Sequence, residues 1–407
     1  MMKKMFIVIL ILGLLLSGCN SSNPKPQETP SALPTNQAVP THIPTNTPLP
    51  PTDTPLPTAK PLPTSTSTPT EMPPQAYGPT NFPAEVNPLT GLRFDDPSAL
   101  DRRPVAVKIQ SFPRQQRPDW GISFADVVYD YYQNNGMTRL NAIFYGNLPE
   151  KAGPVRSARL FDSNIVRMYE AIFAFGGADS RILNRLFNSE YADRLVVEGN
   201  NTCPAMCRED PNGYNYLIAN PLEIGAYVKT KGVDNSKPDL EGTTFKPQPP
   251  EGGQPGENVY VRYSISAYVN WKYDPASGKY LRFQDNAEAY TPQEEEYTPA
   301  TDRINDEQVA AENVIVLKVI HQFVYKAGNS EIVDILLGGS GEAYAFRDGK
   351  MYQLQWNRPT NALLTLTFPD GTPYPLKPGV TWFQVVGQSS TNELTPDNGI
   401  RFEFRFP

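Results

Sequence analysis

The pattern of apolar and polar positions predicts folded structure from about residue 87. Short apolar runs rich in β-branched and aromatic residues predict strands at 105–109, 126–132 and 139–145, and 134–136 (Asn-Asn-Gly) predicts the turn between the last two. Helical spacing of apolar positions predicts a helix over 158–169. The continuous apolar run at 171–175 predicts a buried strand, and 180–187 a short helix. This alternation predicts a mixed α/β N-terminal domain over residues 87–228.

The C-terminal part has a different pattern. Nearly all of its apolar segments have strand composition: 259–264, 267–273, 280–284, 314–324, 332–337, 343–346, 351–356, 363–368 and 382–386. These segments predict a predominantly β domain over residues 259–407, in the form of a sandwich, barrel or curled sheet. Residues 229–258 are rich in proline, glycine and charge, which predicts a linker or a long surface loop. The expected fold class is α+β.

The first 86 residues are not expected to join this fold. Residues 1–19 have a basic start, an apolar run and small residues before Cys19, which is typical of a secretory signal. The segment Leu16-Ser17-Gly18-Cys19 resembles the lipobox of bacterial lipoproteins, and it predicts that Cys19 becomes the lipidated first residue of the mature protein. Residues 20–86 predict a disordered stalk, because 17 of the 43 prolines fall in residues 21–80.

Charge and composition exclude several classes of function. The net charge of −7 argues against nucleic acid as a partner, because nucleic-acid-binding domains carry a basic surface. The chain has two histidines, His42 and His321, which argues against a multi-histidine metal site or a histidine relay. We expect no cofactor and no metal.

Several motifs, in order, resemble the YerB-like bacterial lipoproteins (domain of unknown function 3048). In the N-terminal part they are 87–91 (NPLTG), 103–108 (RPVAVK), 125–129 (ADVVY), 138–139 (TR) and 153–159 (GPVRSAR). In the C-terminal part they are 313–316 (NVIV), 338–343 (GGSGEA), 356–358 (WNR) and 376–382 (LKPGVTW). The resemblance covers residues 87–387 and implies a two-domain extracytoplasmic lipoprotein of unassigned activity.

The segment 153–159 is the main candidate for a binding site. Its Gly-Pro turn precedes a helix expected to begin near Ser157, so free backbone N–H groups and an arginine fork would face an anion together. We predict an anion site formed by Arg139, Arg156, Ser157, Arg159 and Asp179, with the loop at 176–180 at the same rim. The alternative is that Arg156 and Arg159 form structural ion pairs with acids such as Asp126, Asp162 or Asp179. Asp179 is also a candidate helix N-cap.

Three other groups of residues have more than one structural or functional interpretation. Cys203 and Cys207 predict a local disulfide, whereas a metal site would need further ligands that are not evident. The aromatic residues Trp271, Tyr273, Tyr280, Phe283, Trp356 and Trp382 allow a glycan-binding face, although such residues are more often sheet core. The run 294–296 (EEE) predicts a solvated loop.

Two hypotheses for function follow. The first is a non-enzymatic envelope lipoprotein, held at the extracytoplasmic face of the membrane by Cys19, that binds an anionic or glycan wall polymer or an envelope protein. The second is an enzyme acting on envelope phosphates or glycans. The strand and arginine turn are loosely similar to those of LytR-CpsA-Psr phosphotransferases, where arginines hold a lipid pyrophosphate.

Overall fold

The computed structural model describes residues 75–406, except for 111, 200, 210–215 and 329. The predicted signal peptide, Cys19 and most of the predicted stalk lie outside the described residues. In the part of the chain that is described, no helix combines the length and apolar character that a bilayer crossing requires.

The N-terminal part of the fold combines strands with three short helices. The strands are β1 (Val105–Gln110), β2 (Val127–Asn134), β3 (Met137–Phe144), β4 (Ile172–Phe175), β5 (Leu195–Val197), β6 (Met206–Arg208) and β7 (Leu217–Ala219). The helices are α1 (Asp162–Met168), α2 (Ser180–Phe187) and α3 (Pro221–Thr230). Asn220 caps α3 by accepting hydrogen bonds from the backbone N–H groups of Leu222 and Glu223.

The rest of the described chain is built from strands. They are β8 (Gln254–Pro255), β9 (Asn258–Arg262), β10 (Tyr268–Asp274), β11 (Lys279–Asp285), β12 (Tyr297–Pro299), β13 (Ala310–Ala311), β14 (Asn313–Val319), β15 (His321–Ala327), β16 (Ser330–Ile335), β17 (Gly339–Arg347), β18 (Lys350–Arg358), β19 (Thr365–Thr367), β20 (Thr381–Gly387), β21 (Thr391–Thr395) and β22 (Gly399–Glu403). The fold is therefore mostly β with few helices.

One large sheet contains strands from both ends of the chain. Its order is β19-β18-β17-β14-β20-β2-β3-β1-β4-β5, and β8 pairs with β18. The parallel pairing of β2 with β20, which places Val127 opposite Thr381, joins the two halves. The division into an N-terminal and a C-terminal domain stays a prediction, and the structure adds that strands of both segments share this sheet.

A second, seven-stranded sheet packs against the large one. It has the order β12-β11-β10-β9-β22-β21, with β13 pairing with β11. Trp271 of β10 meets Trp382 of β20 with ring centroids 5.1 Å apart, and both rings are buried. Arg282 of β11 forms a buried ion pair of 3.1 Å with Asp130 of β2. The interface between the sheets thus has an apolar core that contains the charge pair Arg282–Asp130.

Three local expectations need correction. Helix α1 begins at Asp162 and not near residue 158, because the side chain of Asp162 accepts a hydrogen bond from the backbone N–H of Arg159 and closes a turn before the helix. The apolar run 314–324 is two strands, since β14 belongs to the large sheet and β15 pairs with β16 in a separate hairpin. The segment 229–258 begins with the end of α3, and Leu240 and Phe245 within it are buried in the core.

Candidate functional site

Polar side chains cross one face of the large sheet near the carboxyl ends of β1 and β2. Lys108 and Gln110 alternate along β1, and they lie opposite Asn141 and Arg139 of β3. Arg139 also pairs with Tyr131 of β2. Because alternate residues of a strand face the same side, these positions form one continuous polar stripe across three strands.

The two candidate loops meet at this edge of the sheet. The backbone N–H of Gly176 donates to the carbonyl of Arg156 at 3.0 Å, and that of Ala158 donates to the carbonyl of Gly177 at 2.9 Å. The loop after β4 therefore runs beside the segment 153–159, as the sequence predicted. Of the five residues of the predicted anion site, Ser157, Arg159 and Asp179 line one common cleft.

Arg139 and Arg159 share a hydrogen-bond acceptor. Arg139 Nη1 donates to the Ser157 carbonyl at 2.7 Å, and Arg159 Nη1 donates to the same oxygen at 3.3 Å. Arg159 also donates to the carbonyl of Ala158 and to Oε1 of Gln133, both at 2.8 Å. These acceptors are neutral, so they orient the two guanidinium groups without cancelling their charge.

Arg156 is oriented by two glutamines. Its Nη2 donates to Oε1 of Gln110 at 2.6 Å and to Oε1 of Gln116 at 2.7 Å. Gln110 is fully buried, and within the described part of the chain its Nε2 donor has no hydrogen-bond partner. A buried donor without a partner costs free energy unless a ligand or water accepts from it.

Neither Arg139 nor Arg159 forms an ion pair with any residue that the structure describes. The three acids considered as structural partners are bound elsewhere: Asp126 to the Asn87 amide at 2.7 Å, Asp162 to the Asn141 amide at 2.8 Å, and Asp179 to Arg181 at 2.9 Å. The structural ion pairs considered for Arg159 are therefore not formed.

The pKa values of Arg139 and Arg159 are both lowered. Burial lowers the pKa of Arg139 to about 9, and repulsion from Arg159 and Arg156 adds to the effect. Burial likewise lowers the pKa of Arg159, while Tyr131, Asp162 and Asp179 oppose that shift. Since a positive neighbour disfavours a second positive charge, the cluster is poised to be stabilised by an anion.

Arg159 borders an open cleft of about 570 Å³, and we use the name arginine cleft for the space lined by Ser157, Arg159, Asp179 and Glu331 with Asn134, Ile182, Ala327, Ser330 and Ile332. Asp179 at its rim caps α2 and pairs with Arg181, which lowers the Asp179 pKa to about 2. Glu331 accepts from Tyr132 at 2.8 Å and pairs with Lys326 at 3.1 Å. Both carboxylates thus have partners of their own.

A buried hydrogen-bond network behind the cleft includes residues that were not predicted to belong to the site. Asp162 accepts hydrogen bonds from Lys108, Tyr131 and Asn141, and all four residues are buried. Burial lowers the pKa of Lys108 to about 7, while the Asp162 carboxylate opposes that shift. The alternation of polar residues along β1 and β3 was the signal that could have identified Lys108 and Asn141.

The expected contribution of a helix N-terminus is absent from the described site. Arg156 N–H donates to the Lys108 carbonyl at 2.8 Å, Ala158 N–H to Gly177, and Arg159 N–H to Asp162. These backbone donors are already used, and α1 begins several residues later. The N–H groups of these three residues are therefore not free to bind an anion.

The other candidate groups have structural positions. Cys203 and Cys207 are joined by a disulfide with a Cα to Cα distance of 5.0 Å. Trp271, Trp356 and Trp382 are buried in the core, which removes them from any glycan-binding face. The described residues contain no cluster of three or more His, Cys, Asp or Glu that could hold a metal ion.

Comparison with known proteins gives two family matches and one named relative. Residues 89–234 match the family described as "Protein of unknown function (DUF3048) N-terminal domain", and residues 259–383 match the corresponding C-terminal domain. The chain is 26% identical over 322 residues to "Putative lipoprotein YerB" of Bacillus subtilis (strain 168), covering 77% of this chain and 89% of the relative.

A solved structure gives the same assignment. The crystal structure of YerB protein from Bacillus subtilis is similar with a TM-score of 0.63 and 26% identity, over 74% of this chain and 96% of that one. The relative's name agrees with the prediction of a lipoprotein. With two domain matches that together span most of its length, the chain belongs to the DUF3048 family, as its motifs predicted.

Proposed function

We propose that this protein is a lipid-anchored extracytoplasmic protein that binds an anionic group of the cell envelope in the arginine cleft. The observation that carries the proposal is the pair Arg139 and Arg159, two largely buried guanidinium groups whose hydrogen-bond acceptors are neutral. Desolvated charge of one sign is costly unless a ligand supplies the opposite charge. In the free protein this desolvation cost is not compensated, and binding of an anion would relieve it.

The arrangement suits a phosphate or carboxylate group. Guanidinium groups donate two parallel hydrogen bonds to such oxygens, and charge-assisted bonds are about twice as strong as neutral ones. The Nε2 amide of Gln110, beside Arg156, is fully buried and has no partner among the described residues, so it would donate only to an anionic oxygen that reaches this depth. The cleft is open, so the anionic group can belong to a larger polymer that remains outside it.

The membrane anchor is the second part of the proposal. Cys19 follows a lipobox-like segment, and the related protein carries the name lipoprotein. Several acyl chains on one residue give stable anchoring. Metabolic labelling with a clickable fatty acid should label the protein, and Cys19→Ser should lose the label. A mature protein that lacks Cys19 and carries no label would contradict the anchor.

Retention on cell-wall polymers tests the binding. Full-length protein and the variants Arg156→Ala and Arg159→Ala would be incubated with purified peptidoglycan, with and without its anionic polymers. Arg93→Ala is the matched control, because Arg93 is exposed and pairs with Glu85. We expect retention of the wild type and the control, and its loss in the cleft variants. Equal retention of all four proteins would remove the arginine site.

Catalysis on a phosphate or glycan substrate in the same cleft is the second candidate function. The observation that favours it is Lys108, whose pKa is lowered to about 7. Its fully buried amine lies behind the cleft and bonds to Tyr131 and Asp162, so a proton exchanged with a substrate would have to pass through these side chains. Incubation with polyprenyl pyrophosphate and a divalent metal would show turnover that Lys108→Met abolishes while anion binding persists. Absence of turnover in the wild type would leave binding alone.

A further inference from the structure

A second cavity lies at the opposite edge of the large sheet from the arginine cleft. It has a volume of about 250 Å³ and lies where the amino ends of β2 and β20, at Val127 and Thr381, approach β19. The cleft, in contrast, lies beyond the carboxyl ends of β1 and β4. The cavity and the arginine cleft are therefore two separate candidate binding sites.

The lining of this cavity is uncharged. Its apolar wall contains Leu89, Leu363, Leu364, Leu366, Leu376 and Phe383, and its polar atoms include the side chains of five threonines. No Asp, Glu, Lys, Arg or His is among the described residues that line it. A charged ligand would lose its hydration here without gaining a charged partner, which is costly. An apolar ligand would gain by leaving water.

This partly open cavity is larger than the voids found within packed cores. Protein cores are close-packed, with few voids larger than a water molecule. A buried apolar cavity of about 150 Å³ already stays dry and accepts benzene. At about 250 Å³, this cavity has room for an apolar molecule larger than a single ring.

Two loop segments form one wall of the cavity and are fastened to each other. Gly242 N–H donates to the Pro79 carbonyl at 2.7 Å. The carboxylate of Glu241 accepts from the backbone N–H groups of Asn81 and Phe82, both at 2.9 Å. Pro79 and Gly242 both line the cavity, so these bonds hold its wall in place.

We propose that this cavity binds an uncharged, largely apolar small molecule. The leucine wall contacts the hydrocarbon part. The hydroxyls of Thr365, Thr367 and Thr381 already bond to Asn357 and Asn313, so a single neutral polar group on the ligand would bond to Thr243 or Thr244. Binding in this cavity does not depend on an anion in the arginine cleft, because it rests on the volume, the neutral lining and the fixed wall of this second site.

Fluorescence of N-phenyl-1-naphthylamine, a neutral apolar probe, tests the proposal on the full-length protein. We expect saturable binding of the probe and its displacement by 1-decanol. Sodium decanoate, which has the same chain with a charged head, should compete at least tenfold more weakly. A probe signal that does not saturate, or equal competition by decanol and decanoate, would overturn the proposal.

Variants locate the binding. Thr243→Phe and Leu366→Phe each place a ring in the cavity and should weaken probe binding at least tenfold, whereas Leu222→Phe on the exposed surface of α3 should not change it. Circular dichroism and thermal melting check that each variant folds. If the buried Leu366→Phe does not fold, Thr243→Phe in the loop wall still tests the site. Wild-type affinity in the folded variants would contradict the assignment.

Discussion

Arg156 Nη2 donates a 2.6 Å hydrogen bond to Oε1 of Gln110, while the fully buried Nε2 of Gln110 has no partner among the described residues. Replacing that amide nitrogen with an oxygen, as in Gln110→Glu, would place a carboxylate inside the cluster of arginines. This internal anion should compete with an external one. We expect anion binding at least tenfold weaker, with thermal stability equal to or above that of the wild type.

Phosphate titrations with a thermal-shift readout check this prediction. Gln308→Glu is a suitable control, because it makes the same chemical change at a half-buried glutamine on the β11 side of the fold, where Nε2 donates to the backbone carbonyl of Arg282. Unchanged phosphate affinity in Gln110→Glu would show that Gln110 does not face the anion.

Glu295 should contribute to stability far more than its neighbours in the acidic run. Its carboxylate is 1% exposed and accepts from Arg262 at 2.7 Å and from Arg401 at 2.8 Å. Glu295→Ala leaves two arginines without this partner, and we expect a loss of about 3 kcal/mol. Glu296→Ala, at an exposed position, should change the free energy of unfolding by less than about 0.5 kcal/mol. Urea denaturation of both variants measures the difference.

The disulfide between Cys203 and Cys207 closes a short loop. For a loop of this length, chain entropy gives a stabilisation of about 2 kcal/mol. Reductant should lower the free energy of unfolding of the wild type by that amount. The double variant Cys203→Ser/Cys207→Ser should start from the lower value and show no response to reductant. A response in the double variant would assign the effect to something other than this bond.

His321 should make the protein less stable in mild acid. Burial lowers its pKa to about 4, from about 6.5 in the unfolded chain, so the unfolded state binds more protons between these values. Stability is therefore lost as pH falls through 6.5 towards 4. By pH 5 this residue should cost about 2 kcal/mol relative to pH 7.5.

His321→Phe isolates this contribution. The ring lies against Phe404 at 5.1 Å in an aromatic cluster, so phenylalanine keeps the apolar packing and removes the titrating group. The difference in unfolding free energy between wild type and variant should change between pH 7.5 and pH 5. A difference that stays constant over this range would contradict the assignment.

Local patterns predicted the elements whose residues pack close to their neighbours in sequence. Strands β1 to β4 and helix α2 lie where the apolar spacing placed them. The pairing of β2 with β20 joins segments about 250 residues apart, and no local pattern specifies such a partner. Strand β21 was missed because its residues, 391–395 (TNELT), are mostly polar and exposed at the edge of its sheet.

The candidate site shows the same limit. The turn in 153–159 and the helix N-cap at Asp179 could be predicted, because turns and caps have local sequence signatures. Gln110 lies on β1 and Gln133 on β2, and they accept hydrogen bonds from Arg156 and Arg159. Their places beside these arginines depend on the register of the sheet, which the local sequence does not specify. The side chain of Asp162 also redirected the start of α1, which spacing alone had placed too early.

Calorimetric titration of inorganic pyrophosphate into the full-length protein tests the central claim most directly. We predict saturable binding at one site, weakened about 10- to 100-fold in Arg159→Gln, because one charge-assisted hydrogen bond contributes about 1.5–3 kcal/mol. The control Arg93→Gln, in a residue paired with Glu85, should bind as the wild type does. An absence of binding to the wild type, or equal affinity in wild type and Arg159→Gln, would contradict an anion site in the arginine cleft.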